Sequence, residues 1–122
     1  MKLISFIYIA NSSILLLHEI GSAYWKEWKI LKLQGEITGF IIIHIPLVIL
    51  MFTGLLFVEE ENAIGAIFGI ITGIGGLIPF FVYKLIAKTG TGSNLLISEI
   101  LIYSNIVTGL LLTCLSFKVI FW

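Results

Sequence analysis

Residues 36–58 read EITGFIIIHIPLVILMFTGLLFV. After Glu36 this stretch carries no Lys, Arg, Asp or Glu, and its one further ionisable side chain is His44. A helix of that length rises about 35 Å, enough to cross a hydrocarbon core of about 30 Å with some tilt. Pro46 removes one backbone donor inside it and is expected to bend the helix. Working outward, three more runs have the same character, at approximately 3–20, 63–86 and 94–117. The whole chain has 122 residues, of which 59% are hydrophobic and only 11% charged. Its mean hydropathy is +1.14. A soluble domain carries about 25% charged residues, so a soluble globular protein is excluded. The fold expected is all-α: one integral membrane domain over 1–122, an antiparallel bundle of four transmembrane helices.

The segments between the runs complete this picture. Tyr24, Trp25, Trp28 and Leu31 share one helical face, with Lys26, Glu27 and Lys29 elsewhere, so 24–33 is expected to be a short helix lying in the membrane interface. Met1-Lys2 followed by an apolar run resembles a signal peptide, but the run continues into His18-Glu19 without a small-x-small exit and is read as a retained first span. Glu59, Glu60, Glu61 and Asn62 form the second loop, most simply a solvated one. Thr89-Gly90-Thr91-Gly92-Ser93 is a turn cluster; it lacks the Gly-Lys-Ser/Thr ending of a phosphate loop. Within the third run Gly65, Gly69 and Gly73 recur every fourth residue, a spacing that lets helix backbones approach closely and marks these glycines as an interface. Gly75, Gly76 and Pro79 loosen its second half.

Charge sets orientation and excludes some partners. Seven lysines balance seven glutamates, with no Arg and no Asp. A net charge of zero leaves no basic stripe for nucleic acid, so the expected surroundings are the lipid bilayer, a second copy of the chain or another membrane protein. Lys26, Lys29 and Lys32 follow the first span, and Lys84 and Lys88 follow the third. The positive-inside rule therefore places these loops in the cytoplasm and both termini outside, in a multi-pass protein of the cell membrane. Cys114 is the one cysteine, so the chain has no internal disulfide, and it reads as a small apolar core residue.

Ionisable groups within spans are costly, which makes the few present informative. His18 and Glu19 lie near the end of the first span, Glu36 opens the second, His44 lies about 12 Å deeper, and Glu99 is about two turns into the fourth. Alternating span direction brings all five to the same leaflet. Ser98, Asn105 and Gly109 line one stripe of the fourth span, and Glu99 and Tyr103 a second. The candidate ligand-binding residues are thus His18, Glu19, Glu36, His44, Glu99, Tyr103 and Asn105. Of these, His18, His44, Glu19 and Glu99 are candidate metal ligands, because imidazole and carboxylate suit a divalent Zn, Fe or Mn ion. Paired imidazoles also hold heme iron, but adjacent carboxylates suit an apolar heme slot poorly. No His-Glu-x-x-His helix is present, and without Asp there is no Ser-His-Asp set, so no reaction is named.

Two motifs carry a resemblance. His18-Glu19, with Glu27-Trp28 after it, and His44-Ile45-Pro46-Leu47 resemble the patterns of an uncharacterised family of small four-span prokaryotic membrane proteins. The resemblance covers the first half of the chain and implies roles for His18, Glu19, Glu27, Trp28, His44 and Pro46. Gly21 stands where that family has Asp, and the third and fourth spans lack the further histidines that many members carry. The leading expectation is a protein that binds a small ligand, such as a transition-metal ion, at a His/Glu cluster in the cytoplasmic leaflet. The alternatives are a proton-coupled exporter acting as a homodimer, with Glu99 exchanging proton for cation, and a structural or accessory subunit.

Overall fold

A computed structural model of the chain describes residues 1–24, 34–82, 84 and 96–121. The elements are α1 (Leu3–Tyr24), α2 (Glu36–Glu59), α3 (Ala63–Gly75), α4 (Ile78–Phe81) and α5 (Leu96–Phe121). No strand occurs among the described residues. Four helical stretches are long and apolar enough to cross a membrane: Leu3–Tyr24, Glu36–Glu59, Ala63–Phe81 and Leu96–Phe121. The interfacial helix expected over 24–33 lies outside the described residues except for Tyr24, which closes α1; the turn cluster at 89–93 also lies outside them.

Three boundaries differ from those read in the sequence. The helix of the first span runs on to Tyr24, one turn beyond the apolar run, and α5 runs on to Phe121. The third span is broken at Gly76-Leu77, with Pro79 in the first turn of α4. Proline lacks the N–H an interior position needs and is tolerated in a first turn, so the break falls just before it. By contrast α2 is continuous through Pro46. The turn into α2 uses Gly35 at φ 85° followed by Glu36 at φ 54°, a left-handed pair that glycine adopts freely and glutamate does not. Asn62 caps α3, its Oδ1 accepting from the Gly65 amide at 2.7 Å.

The helices pack as a ring, each against its neighbours, in the order α1, α2, α3, α5 and back to α1. Side-chain contacts fix the register. Ser5 meets Glu59 and Tyr8 meets Met51, so α1 and α2 are antiparallel. Glycines set the closest approaches of α3: a Cβ on Gly65 would strike the backbone at Phe57, and one on Gly73 the backbone at Gly109. Gly69 receives Ser116 in the same way. The interface marked by Gly65, Gly69 and Gly73 is therefore made with α2 and α5 of the same chain.

Ile4, Tyr8, Val58 and Leu112 form a buried cluster at the half of the bundle near the N-terminus. Elsewhere the interior combines Phe40, Ala66 and Ile102 with polar residues: Asn11, Asn105 and Ser116 are fully buried, while Ile41, Ile42, Ile45, Ile49, Phe52 and Leu56 of α2 face outward, and Cys114, expected in the core, is exposed on α5. Lipid tails are as apolar as leucine, so apolar side chains gain nothing by turning inward, and close contact plus interhelical hydrogen bonds hold the helices together. The second loop is solvent-exposed at Glu60 and Glu61, as its composition suggests, and is tied to the N-terminus. Glu59 accepts from Ser5 Oγ and from the Lys2 amide, and Glu61 pairs with Lys2 Nζ at 3.8 Å.

Candidate functional site

The antiparallel register of α1 and α2 that pairs Tyr8 with Met51 also brings Glu19 to His44, about three helical turns further along. His44 is held from two sides. Its Nδ1 lies 2.7 Å from the carbonyl oxygen of Phe40, one turn earlier on α2, and its ring stacks on the Phe40 ring with centroids 4.1 Å apart. A carbonyl oxygen only accepts, so Nδ1 carries the proton and Nε2 presents its other face to α1. There it meets Glu19 Oε2 at 2.6 Å.

Two consequences follow from this chemistry. With Nδ1–H committed to Phe40, the 2.6 Å approach of Nε2 to Oε2 is the distance of a hydrogen bond that one shared proton would make. Without the proton, two electron-pair donors converge on one point. A Zn ion would sit about 2.0–2.2 Å from each, which requires the two atoms to part to roughly 3 Å or more. Hydrogen bonding of the second imidazole nitrogen to a backbone carbonyl is the usual support of a metal-bound histidine. Both side chains keep about a quarter of their surface exposed, 23% for His44 and 27% for Glu19, so the pair is reachable from outside the bundle.

The other residues singled out in the sequence are not gathered onto this pair. His18 is Glu19's neighbour but points about 100° away around α1, with Nε2 3.4 Å from Ser22 Oγ. Glu36 is exposed in the first turn of α2. Glu99 lies in the first turn of α5, half-buried at the same end of the bundle. Tyr103 packs against Phe80 at 6.0 Å, with Lys84 Nζ 5.9 Å from its ring centre. Asn105 is fully buried deeper in the bundle. Among the described residues no three His, Cys, Asp or Glu side chains gather as a metal-holding group. Glu27 and Trp28 lie outside the described residues.

A second polar assembly, halfway along the bundle, escaped the sequence reading. Asn11 Nδ2 donates to the Thr72 carbonyl at 2.9 Å, and Thr108 Oγ1 donates to Asn11 Oδ1 at 2.9 Å. The Tyr8 hydroxyl donates to the Met51 carbonyl at 2.6 Å. The available signal was the spacing of Ser5, Tyr8 and Ser12 at three and four residues, with Asn11 beside them. It marks one polar stripe on α1 facing the interior.

The chain matches the family of unknown function DUF6713 over residues 4–119, nearly its whole length, and belongs to that family. No curated protein and no solved structure matches it.

Proposed function

We propose that this protein is a multi-pass integral membrane protein that binds a small cationic ligand, a divalent transition-metal ion, at Glu19 and His44. The observation that carries this reading is the Nδ1–H bond to Phe40, which aims Nε2 at the Glu19 carboxylate. A structural ion pair needs only charge, whereas a fixed tautomer with a convergent carboxylate is what a metal requires of its ligands. Water would complete the coordination. The lysines clustered at this end favour a cytoplasmic placement of the site, with both termini outside. In the family of small prokaryotic membrane proteins that the motifs resemble, His-Glu and His-Ile-Pro-Leu would then be the two halves of one site.

One observation favours a second reading, the proton-coupled exporter acting as a homodimer. Glu19 Oε2 and His44 Nε2 lie 2.6 Å apart, close enough to share a proton that a cation would displace. Elemental analysis of gently purified wild type beside Glu19→Gln, His44→Ala and His18→Ala, each checked for helicity, tests the metal reading. About one metal ion per site is expected in wild type and in His18→Ala, with loss in the other two. Wild type that is metal-free and takes up none of Zn, Fe or Mn on reconstitution overturns it, and pH-driven cation uptake by such protein in liposomes would establish the second reading.

A further inference from the structure

Asn105 on α5 is 0% exposed, and among the described residues neither its Nδ2 nor its Oδ1 has a hydrogen-bond partner. It lies midway along a membrane-spanning helix, beyond the reach of bulk water. An amide left unsatisfied in such a place is costly, and buried polar groups in folded proteins are almost always paired, with protein or with ordered water. Its surroundings define what would pair it. Asn105 faces Gly76, at the end of α3, and Asn11 of α1 approaches the same glycine. A Cβ on Gly76 would lie 2.9 Å from Asn105 Oδ1 and 3.2 Å from the Asn105 carbonyl oxygen, and would strike Asn11 Oδ1. Two amide oxygens therefore converge beside the Cα of Gly76. Thr108 Oγ1 occupies one lone pair of Asn11 Oδ1 and leaves the second open.

We propose that internal water occupies the meeting point of α1, α3 and α5, donating to the amide oxygens of Asn11 and Asn105 and accepting from Asn105 Nδ2. The donor set is neutral, made of amides, a hydroxyl and backbone carbonyls, so it suits water rather than a divalent cation, which would need carboxylates. A Cβ at Gly76 would collide with both amide oxygens, and one at Gly109 with the Gly73 carbonyl oxygen, so only glycine lets the polar groups of the three helices meet here. This site is separate from the Glu19–His44 pair and does not depend on any metal binding there. It joins Asn105 to the Asn11, Thr72 and Thr108 assembly, so that one hydrogen-bonded network ties three helices across the interior.

Solid-state NMR of the full chain in lipid bilayers, with asparagine side-chain amides labelled, tests this. Water-to-protein magnetisation transfer should reach Asn105 Nδ2 several-fold faster than the backbone amides of the outward-facing Val107 and Leu110 at similar depth. Asn105→Leu identifies the signal by removing it. Transfer to Asn105 no faster than to Val107 and Leu110 overturns the proposal. So does a direct Asn105–Asn11 side-chain hydrogen bond seen without water transfer.

Discussion

His44 and Glu19 show how much a single side-chain contact asks of its surroundings. Hydrogen bonds to charged partners contribute about 1.5–3 kcal/mol when shielded, and a pair about a quarter exposed falls at or below the lower end. Glu19→Gln and His44→Ala are each expected to destabilise the protein by about 1 kcal/mol, and the double mutant by less than the sum. Equilibrium unfolding in mixed micelles measures both. Asn11 makes two interhelical hydrogen bonds. Interhelical hydrogen bonds in membranes average about 0.6 kcal/mol with a maximum near 1.7, so Asn11→Ala should cost about 1–2 kcal/mol, more than Thr108→Val in the same assay. These partners were only partly legible in the sequence. Spacing placed His18, Glu19, Glu36, His44 and Glu99 at one end of the bundle, but which of them touch depends on how each helix is turned about its own axis. Helix α2 is apolar nearly all round, so nothing in its pattern says which face His44 presents to α1.

At the scale of helices, glycine has two meanings here, and substitution separates them. Gly69 and Gly73 are buried where α3 meets α5, with no room for a further atom. Gly69→Val and Gly73→Val should therefore cost about 1–3 kcal/mol or abolish the compact state, as overpacking does. A methyl group added at Gly21 would meet nothing within 4 Å. Gly21→Ala should leave the fold intact and stabilise it by about 0.5–1 kcal/mol through helix propensity. Thermal or detergent unfolding of the two sets side by side checks the contrast. The every-fourth-residue spacing made close approach of α3 readable from the sequence. Its division between α2 at Gly65 and α5 at Gly69 and Gly73 was not, because a residue spacing names a face and not its neighbour. The extension of α1 to Tyr24 was hidden for a related reason: the apolar run ends before the helix does, since a helix can continue past the hydrocarbon on its own backbone hydrogen bonds.

For the whole molecule, the arrangement inverts that of a soluble bundle: the outer faces are apolar and the middle holds Asn, Ser, Thr and Gly. Length and hydropathy alone made the four spans readable, because the bilayer demands about 20 apolar residues per crossing and leaves few alternatives. Orientation rests on the lysines and has its own test. In a Cys114→Ser background, a cysteine at Glu60 should react with a membrane-impermeant maleimide in intact cells, and one at Lys88 only after lysis. Glu19 and His44 are proposed to form one cation site, with His44 Nδ1–H donating to the Phe40 carbonyl oxygen. Nitrogen-15 NMR of histidine-labelled protein in bilayers, with Zn added stepwise, tests it most directly. His44 Nε2 should shift on metal addition while Nδ1 stays protonated, and Glu19→Gln should weaken the response. A His44 Nε2 signal unmoved by Zn in folded wild-type protein would contradict it.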